Sequence, residues 1–514
     1  MIEPVSQSPT LQPFDFHNQL LQDRVHPPAW INPIPADRYD LVVIGGGPAG
    51  LVVAAGVAGM DLGLKIALVE KELLGGDCLN VGCVPSKALI HAARLAATVE
   101  RARQAGMEVG EMTVDLAQVM AQVRRVRADL SRHDSAERLR GMGVDVFFGE
   151  GQFRNHHTLR VGDRNLVFEK AVVATGSRAT IPAIPGLAAV GYLTHATLFS
   201  LTQLPRRLAV IGGGPIGCEL GQACQRLGSQ VTLLQRGDRL LPREEPEAVA
   251  LLQQKLQGEG LQILLEATLE GVDRTAAGKV LHYRQGGEVR SLVVDEILVA
   301  AGRTPNLEGL NLEATGVATH PQRGLEVNDF LQTTNPRIYA AGDICQDWKF
   351  THAADAAARL VIKNALFSPW GLGRQRYRSL VMPWVTYTDP EIAHVGLYAD
   401  AAQAQGWTTH TITIPLSAVD RAVIQGDTEG FVEILHPQGQ DRILGATIVA
   451  RQAGEMINEI TLAMVSGQGL NTLAKVIHPY PTQAEAIKKA ADSYRRQRLT
   501  STTRRLLNWV NRFS

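Results

Sequence analysis

The sequence predicts an α/β fold made of two similar strand–turn–helix units, followed by an α+β domain of different texture. Three observations predict it. The segment DLVVIGGGPAGLVVAAGVAGMDLGLKIALVEKE, starting at Asp40, returns as RRLAVIGGGPIGCELGQACQRLGSQVTLLQRGD, starting at Arg206. Each copy runs apolar strand, glycine-rich turn, helix, strand, which marks a parallel α/β unit rather than a solenoid repeat. From about Leu380 the texture changes: strand-like alternation (TITIPLSAV, GFVEILH, RILGATIVA) mixes with helical patterns near 452–466 and 483–496.

Composition bounds the rest. At roughly 100–200 residues per domain, 514 residues make three or four domains. Hydrophobic residues are 45% and charged residues 20%, which excludes a chain disordered throughout. Lys plus Arg and Asp plus Glu are both 51, so no basic excess points to nucleic acid. The first residues, MIEPVSQSPTLQPFDFHNQL, have neither a basic start nor an apolar run, so a cytoplasmic protein is expected. Leu41–Met60 is uncharged and long enough to span a bilayer, but its six glycines and Pro48 read as strand, turn and helix. Five cysteines, odd in number and sparse, are not a disulfide scaffold; a disulfide here would be catalytic.

The first turn is Gly45-x-Gly47-x-x-Gly50, with Pro48 and Ala49 inside it and Glu70 at the end of the next strand. Glycines let the backbone approach a pyrophosphate, the helix N-terminus faces its charge, and the acid binds a ribose diol. The second turn is Gly212-x-Gly214-x-x-Gly217, with Pro215 and Ile216 inside it. Gln235 stands where Glu70 stood, followed by Arg236 and Arg239. An acid would repel a 2′-phosphate, whereas Arg pairs with one, so NADPH is expected before NADH. The two copies predict Rossmann-like domains for two dinucleotides, a flavin and a nicotinamide.

Between them lies GGDCLNVGCVPSK, with Cys78 and Cys83 just before a helical run. Thiols at a helix N-terminus ionise more easily. Lys87 falls on the same helical face as Cys83 and favours its thiolate. Zinc sites match such a pair with another, and none is present. A helical stretch is expected near Glu100–Arg140, and strands at Val144–Phe148, Lys170–Ala174 and Glu296–Ala300. Cys218, Cys224 and Cys345 read as packing residues.

GGDCLNVGCVPSKALI resembles the active-site segment of the class I flavoprotein disulfide reductases, which include lipoamide dehydrogenase, glutathione reductase and mercuric reductase. Further landmarks match by residue: Ala174-Thr175-Gly176, Glu219 after the second turn, Ala300-Ala301-Gly302-Arg303 and Tyr339-Ala340-Ala341-Gly342-Asp343. The resemblance runs from about Tyr39 to Asp492. It implies FAD on the first unit, with Glu70 on its ribose and Asp343 near its ribityl chain, and NAD(P)H on the second. Lys71, Gly76, Lys87, Thr175, Gly176, Gly302, Arg303 and Gly342 complete the implied cofactor contacts. It also implies that Lys87 pairs with Glu219, that Cys83 faces the flavin, that Cys78 meets the substrate, and that the last domain forms a homodimer and completes the partner's site. The implied domains are 1–38, an irregular Pro-rich extension; 39–178 and 306–378, for FAD; 179–305, for NAD(P); 379–498, for dimerisation; and 499–514, a tail.

The substrate is read from departures. Lipoamide and glutathione reductases carry His-x-His-Pro-Thr-x-x-Glu, in which the second His works with the Glu; here His478 and Glu485 remain, but Tyr480 takes the place of the second His. Expelling a thiolate calls for a group that gives and takes a proton near neutrality, which imidazole does and phenol does poorly. Reducing a thiophilic metal ion has no such leaving group and needs two soft thiolates. Mercuric reductases carry Tyr at this place, and Tyr192 also resembles one of their positions. The first choice of acceptor is thus Hg(II) or a similar ion, held transiently by Cys78 and Cys83. The second is a disulfide, with His478, otherwise a turn residue, reaching the vacated site. The third reading is a slow-turnover, redox-sensing FAD protein. Mercuric reductases end in a Cys pair, and many begin with a Cys-x-x-Cys domain; this chain ends NWVNRFS and has no Cys in residues 1–38. Asp77 replaces the usual Thr, and its carboxylate is expected to raise the Cys78 pKa. The tail carries Arg495, Arg496, Arg498, Arg504, Arg505 and Arg512 without an acid, beside Leu506, Leu507, Trp509, Val510 and Phe513. That is the pattern of a basic amphipathic helix lying on an anionic membrane, or of a tail packed on the dimer.

Overall fold

The computed structural model describes residues 11–499 and 501–512. The N-terminal arm is not irregular throughout: within it α1 (Phe16–Val25) is a helix whose N-cap, Asp15, accepts the Asn18 amide proton. Residues 1–10 of the expected extension lie outside the described residues. β1 (Tyr39–Ile44), α2 (Pro48–Ala58) and β2 (Ile66–Glu70) form the first repeat. The segment with Cys78 and Cys83 follows as α3 (Gly76–Asn80) and α4 (Cys83–Gln104), then α5 (Leu116–Leu130). The helical stretch expected over 100–140 is therefore broken. α4 stops before Gly106, whose φ of +87° lies in the left-handed region that ends helices.

β3 (Val144–Phe148), β4 (Gly151–Asn155), β5 (Thr158–Val161) and β6 (Arg164–Val173) complete the first sheet, in the order β3-β2-β1-β6-β5-β4, with Ile338–Ala340 also paired to β6. β1 pairs in parallel with β2 and with β6, and Val43 faces Leu68 and Val172 across the ladder. Val42, Val43, Leu68 and Val172 are fully buried, each stabilising the fold by about 1.5–3 kcal/mol relative to exposure. β3 is the terminal strand, and the arm lies along it. Trp30 Nε1 donates to the Val146 carbonyl (3.1 Å), and Asn32 exchanges two bonds with the Phe148 backbone (2.8 Å each).

The second repeat builds a four-stranded parallel sheet from Gln262–Leu264, Gln230–Leu234, Arg207–Ile211 and Glu296–Val299. Helix Pro215–Arg226 follows its glycine-rich turn, and an antiparallel meander covers 268–294. Both sheets belong to one compact unit, which reaches to Asp238 and resumes at Gly260–Leu380.

The other compact unit comprises Arg239–Glu259 and the chain from Val381 onward. Its five antiparallel strands run in the order Pro383–Thr386, Glu391–Gly396, Gly445–Ala450, Phe431–Pro437, Thr409–Pro415. Helices Ala453–Val465 and Glu485–Gln497 share its core through Ile457, Ile460, Ile487 and Ala491. The α+β domain expected after 379 is this one, with an added excursion from residues 239–259. Among the described residues, no helix is long and apolar enough to cross a membrane.

Candidate active site

The two glycine-rich turns are superimposable in their chemistry. A methyl group at Gly50 would run into the carbonyl oxygen of Gly45, and one at Gly217 into that of Gly212. Only glycine lets each helix start this close to its strand. Neither helix start carries a side-chain cap, so its first N–H groups remain for an anion. Glu70 Oε2 accepts from the Gly46 amide (2.6 Å), and its other oxygen accepts from Glu72 (2.7 Å). In the second unit, Gln235 Oε1 accepts from the Gly213 amide (3.0 Å). The Glu/Gln contrast read from the repeat is thus a contrast at one equivalent place. Burial pushes the Glu70 carboxyl up, against the two amide bonds that favour its charge. The uncapped helix start, the space over Gly47 and a buried carboxylate facing the turn fit a dinucleotide in the first unit.

Lys71 and Arg236 point to solvent, the former near Glu72 (3.7 Å). Thr175 and Asn306 exchange two bonds (3.0 and 2.9 Å), tying the turn after β6 to the segment after Arg303. Gly176, Gly302 and Gly342 all have positive φ.

Cys78 lies in α3, and Cys83 is the first residue of α4. All five cysteines are free thiols. Cys78 and Cys83 are hydrogen-bonded, and Cys83 Sγ also meets Thr351 Oγ1 (3.3 Å). The Cys78 bond, then Thr351 and the charge of Lys87, hold the Cys83 thiol well below its ordinary value, against burial and Glu219. Cys78 is pushed up, first by that bond and then by burial, by the Cys83 charge and by Asp134. Cys83 is therefore the more readily ionised of the two. Lys87 Nζ donates to Glu219 Oε2 at 2.8 Å.

Asp77 corrects the expectation attached to it. The carboxylate among the groups that push Cys78 up is that of Asp134, while that of Asp77 is held by other groups. It pairs with Arg303, in a very short contact, and with His195 Nε2 (3.0 Å). Burial opposes its charge, but the His195 bond and the Arg303 charge win and hold it at about 2. Arg303, expected at the cofactor, spreads its guanidinium over protein groups: Ser177 (2.7 Å), His195 (3.1 Å), Asp77 and Asp343 (3.3 Å). Asp343 also accepts from Ser177 Oγ (2.6 Å). His195, Ser177 and Thr351 escaped the sequence reading because only tertiary folding brings them here; His195 lies three residues beyond Tyr192, which itself packs against the second sheet's core.

The remaining candidates belong to the other unit. The Tyr480 hydroxyl donates to Asp420 Oδ2 (2.9 Å), which with the carboxylate's charge pushes the phenol's pKa up. His478 Nε2 lies 3.0 and 3.1 Å from the two Glu459 oxygens, with its side chain almost covered. It is not a loose turn residue. Glu485 Oε2 is buried with no hydrogen-bond partner among the described residues. Val423, Ile424, Leu462, Val465 and Ile477 are exposed on this unit. Cys218 and Cys224 are buried, and burial pushes both thiols up, Cys224 to about 12. Among the described residues, no His/Cys/Asp/Glu cluster forms a resident metal site.

Residues 39–358 match the pyridine nucleotide-disulphide oxidoreductase family, and residues 382–491 match its dimerisation domain, which supports a homodimer. The chain is 35% identical over 453 residues to a mercuric reductase of Staphylococcus aureus, covering 88% of this chain and 82% of that one. It is 36% identical over 462 residues to a dihydrolipoyl dehydrogenase of Thermus scotoductus, covering 89% and 98%. The Cu(II) complex of the HOCl-induced flavoprotein disulfide reductase RclA from Escherichia coli has a similar fold, with a TM-score of 0.78, 28% identity, and coverage of 87% and 98%.

Proposed function

The chain belongs to the pyridine nucleotide-disulphide oxidoreductase family, and from that premise we propose that it oxidises NADPH and reduces Hg(II) or another thiophilic metal ion at Cys78 and Cys83. The family uses FAD with NAD(P)H, and bound FAD would supply a two-electron relay between nicotinamide and thiols. The net step takes NADPH to NADP⁺ and Hg(II) to Hg(0), releasing one proton. In this reading the α2 N-terminus and Gly45–Gly50 hold the pyrophosphate, Glu70 the ribose diol, and Asp343, steadied by Ser177 and Arg303, the ribityl side. Lys87 and Glu219 hold the charge beside Cys83. Cys78 is the first soft ligand for the incoming ion, and Cys83 the second.

The observation that carries the metal reading is the bond from Tyr480 to Asp420. A phenol already committed to a carboxylate does not take up a proton near neutrality. The S. aureus relative is named for mercury, and the RclA structure is a Cu(II) complex. For NADPH, the support is Gln235 in place of an acid, with exposed Arg236 following it. A second reading, disulfide reduction, is favoured by the T. scotoductus relative and by the unpartnered Glu485 Oε2, which suits a histidine partner.

The test is steady-state oxidation of NADPH and NADH with thiol-buffered Hg(II), Cu(II), lipoamide or oxidised glutathione, with Cys78→Ser as control. Fast, Cys78-dependent turnover with a metal ion alone supports the proposal; fast turnover of lipoamide overturns it. Tyr480→His should raise lipoamide turnover by about tenfold or more.

The tail supports peripheral attachment to an anionic membrane. Helix Ser501–Val510 sets exposed Leu506, Leu507, Trp509 and Val510 on one arc and Arg504 and Arg505 on the other. Phe513 lies outside the described residues.

A further inference from the structure

The arm before Tyr39 lies outside the matched family domain, yet it is packed against the segment that carries the thiols. Leu21 and Val25 of α1 are completely buried, in one cluster with Leu74, Leu79 and Ala128. The Leu74 amide donates to the Val25 carbonyl (3.2 Å), and His26 Nδ1 meets the Glu72 carbonyl in a very short contact. α1 thus touches the chain between Glu70 and Cys78 directly.

A second, polar connection runs through α5. Asp15 pairs with Arg124 (2.6 Å), and Arg24 donates to the Ala128 carbonyl (2.5 Å). Asn18, fully buried, accepts from Arg127 Nη2 (2.5 Å); Arg127 Nη1 donates to the Asn80 carbonyl (2.6 Å). Asn80 sits between the two cysteines, and its amide nitrogen closes on the carbonyls of Leu74 (3.1 Å) and Gly76 (2.9 Å). Arg127 is a buried guanidinium, pushed down to about 10 by burial and by Arg124. A buried charge of this kind depends strongly on the acceptors its hydrogens find. Asn18 on one side and the Asn80 carbonyl on the other accept from its two terminal nitrogens, while its buried Nε has no partner among the described residues.

We propose that α1 is an intramolecular strap that fixes the spacing of the two thiols, with Asn18 and Arg127 as positioning residues acting through Asn80. The inference rests on reading Cys78 and Cys83 as the redox pair. Its consequence is local: Asn80 closes the five-residue α3 that carries Cys78, whereas Cys83 heads the 22-residue α4, so a shift of Asn80 moves Cys78 against Cys83 and weakens the bond between them. That bond is the foremost cause of the low Cys83 pKa.

The experiment uses full-length reduced protein with FAD bound and follows the pH dependence of Cys83 alkylation in a Cys78-containing background. Asn18→Leu and the milder Asn18→Ala should raise its midpoint by about one pH unit; Asn18→Asp, which keeps an acceptor for Arg127, should restore it. Asn32→Ala loosens the arm at β3, away from the thiols, and should leave the midpoint unchanged. An unchanged midpoint in a folded Asn18→Ala protein overturns the proposal, and so does an equal rise in Asn32→Ala, which would mean general loosening. The readout is a thiol pKa, so failure of the redox-pair reading appears separately, as Cys78-independent turnover.

Discussion

Lys87 Nζ lies 2.8 Å from Glu219 Oε2, joining the helix headed by Cys83 to the helix that follows the second glycine-rich turn. The two charges act on Cys83 with opposite sign: the ammonium favours its thiolate and the carboxylate disfavours it. Lys87→Met should raise the Cys83 alkylation midpoint, and Glu219→Gln should lower it, each by about half to one unit. Shifts of the same sign would show that the pair acts only as a structural bridge.

Asp77 is held at about 2 by His195 and Arg303. Its folded pKa lies below the ordinary value of about 3.9. The stability it contributes is therefore present above pH 4 and lost as pH falls through about 2. Asp77→Asn should lower the melting temperature at neutral pH. The gap to the parent protein should close between about pH 4 and pH 2. A gap that stays constant over that window would separate Asp77 from the network.

The two glycine-rich turns should fail independently. Gly50→Ala should yield colourless or FAD-depleted protein, because the added methyl meets the Gly45 carbonyl. Gly217→Ala, blocked by the Gly212 carbonyl, should keep its flavin absorbance while the KM for NADPH rises about tenfold or more. Flavin loss in Gly217→Ala would reverse the assignment of the two units.

Full-length protein should float with vesicles containing phosphatidylserine and not with neutral ones, and raised salt should release it. Protein lacking residues 499–514 should stay at the bottom of the gradient with both. Flotation that survives this deletion would remove the membrane role of Ser501–Val510.

The repeat, the thiol pair and the α+β domain were legible because each is written locally: a strand, a turn and a helix within some thirty residues, or two cysteines at one helix start. The network around Asp77 was not. Its partners His195 and Arg303 are 118 and 226 positions away, and read locally Asp77 is simply a negative charge beside Cys78. α1 was hidden for another reason. Its apolar Phe16 is 71% exposed, while its polar Asn18 is fully buried, so its pattern does not announce an inward face. His478 and Tyr480 were legible as a departure from a motif, but their partners Glu459 and Asp420 were not, since both come from elsewhere in that unit.

The side chains of Trp30 and Asn32 occupy the outward Val146 carbonyl and both backbone groups of Phe148, on the last strand of the first sheet. An open sheet edge is a template on which a foreign strand can assemble. Many proteins blunt such an edge with lysines or a bulge; here a neighbouring stretch of the same chain closes it with indole and amide groups. Val144–Phe148, with the apolar residues Val144, Val146, Phe147 and Phe148, is otherwise well suited to self-association. A protein trimmed back to the family boundary at residue 39 would therefore expose a sticky edge, and its first symptom would be aggregation during expression rather than loss of turnover.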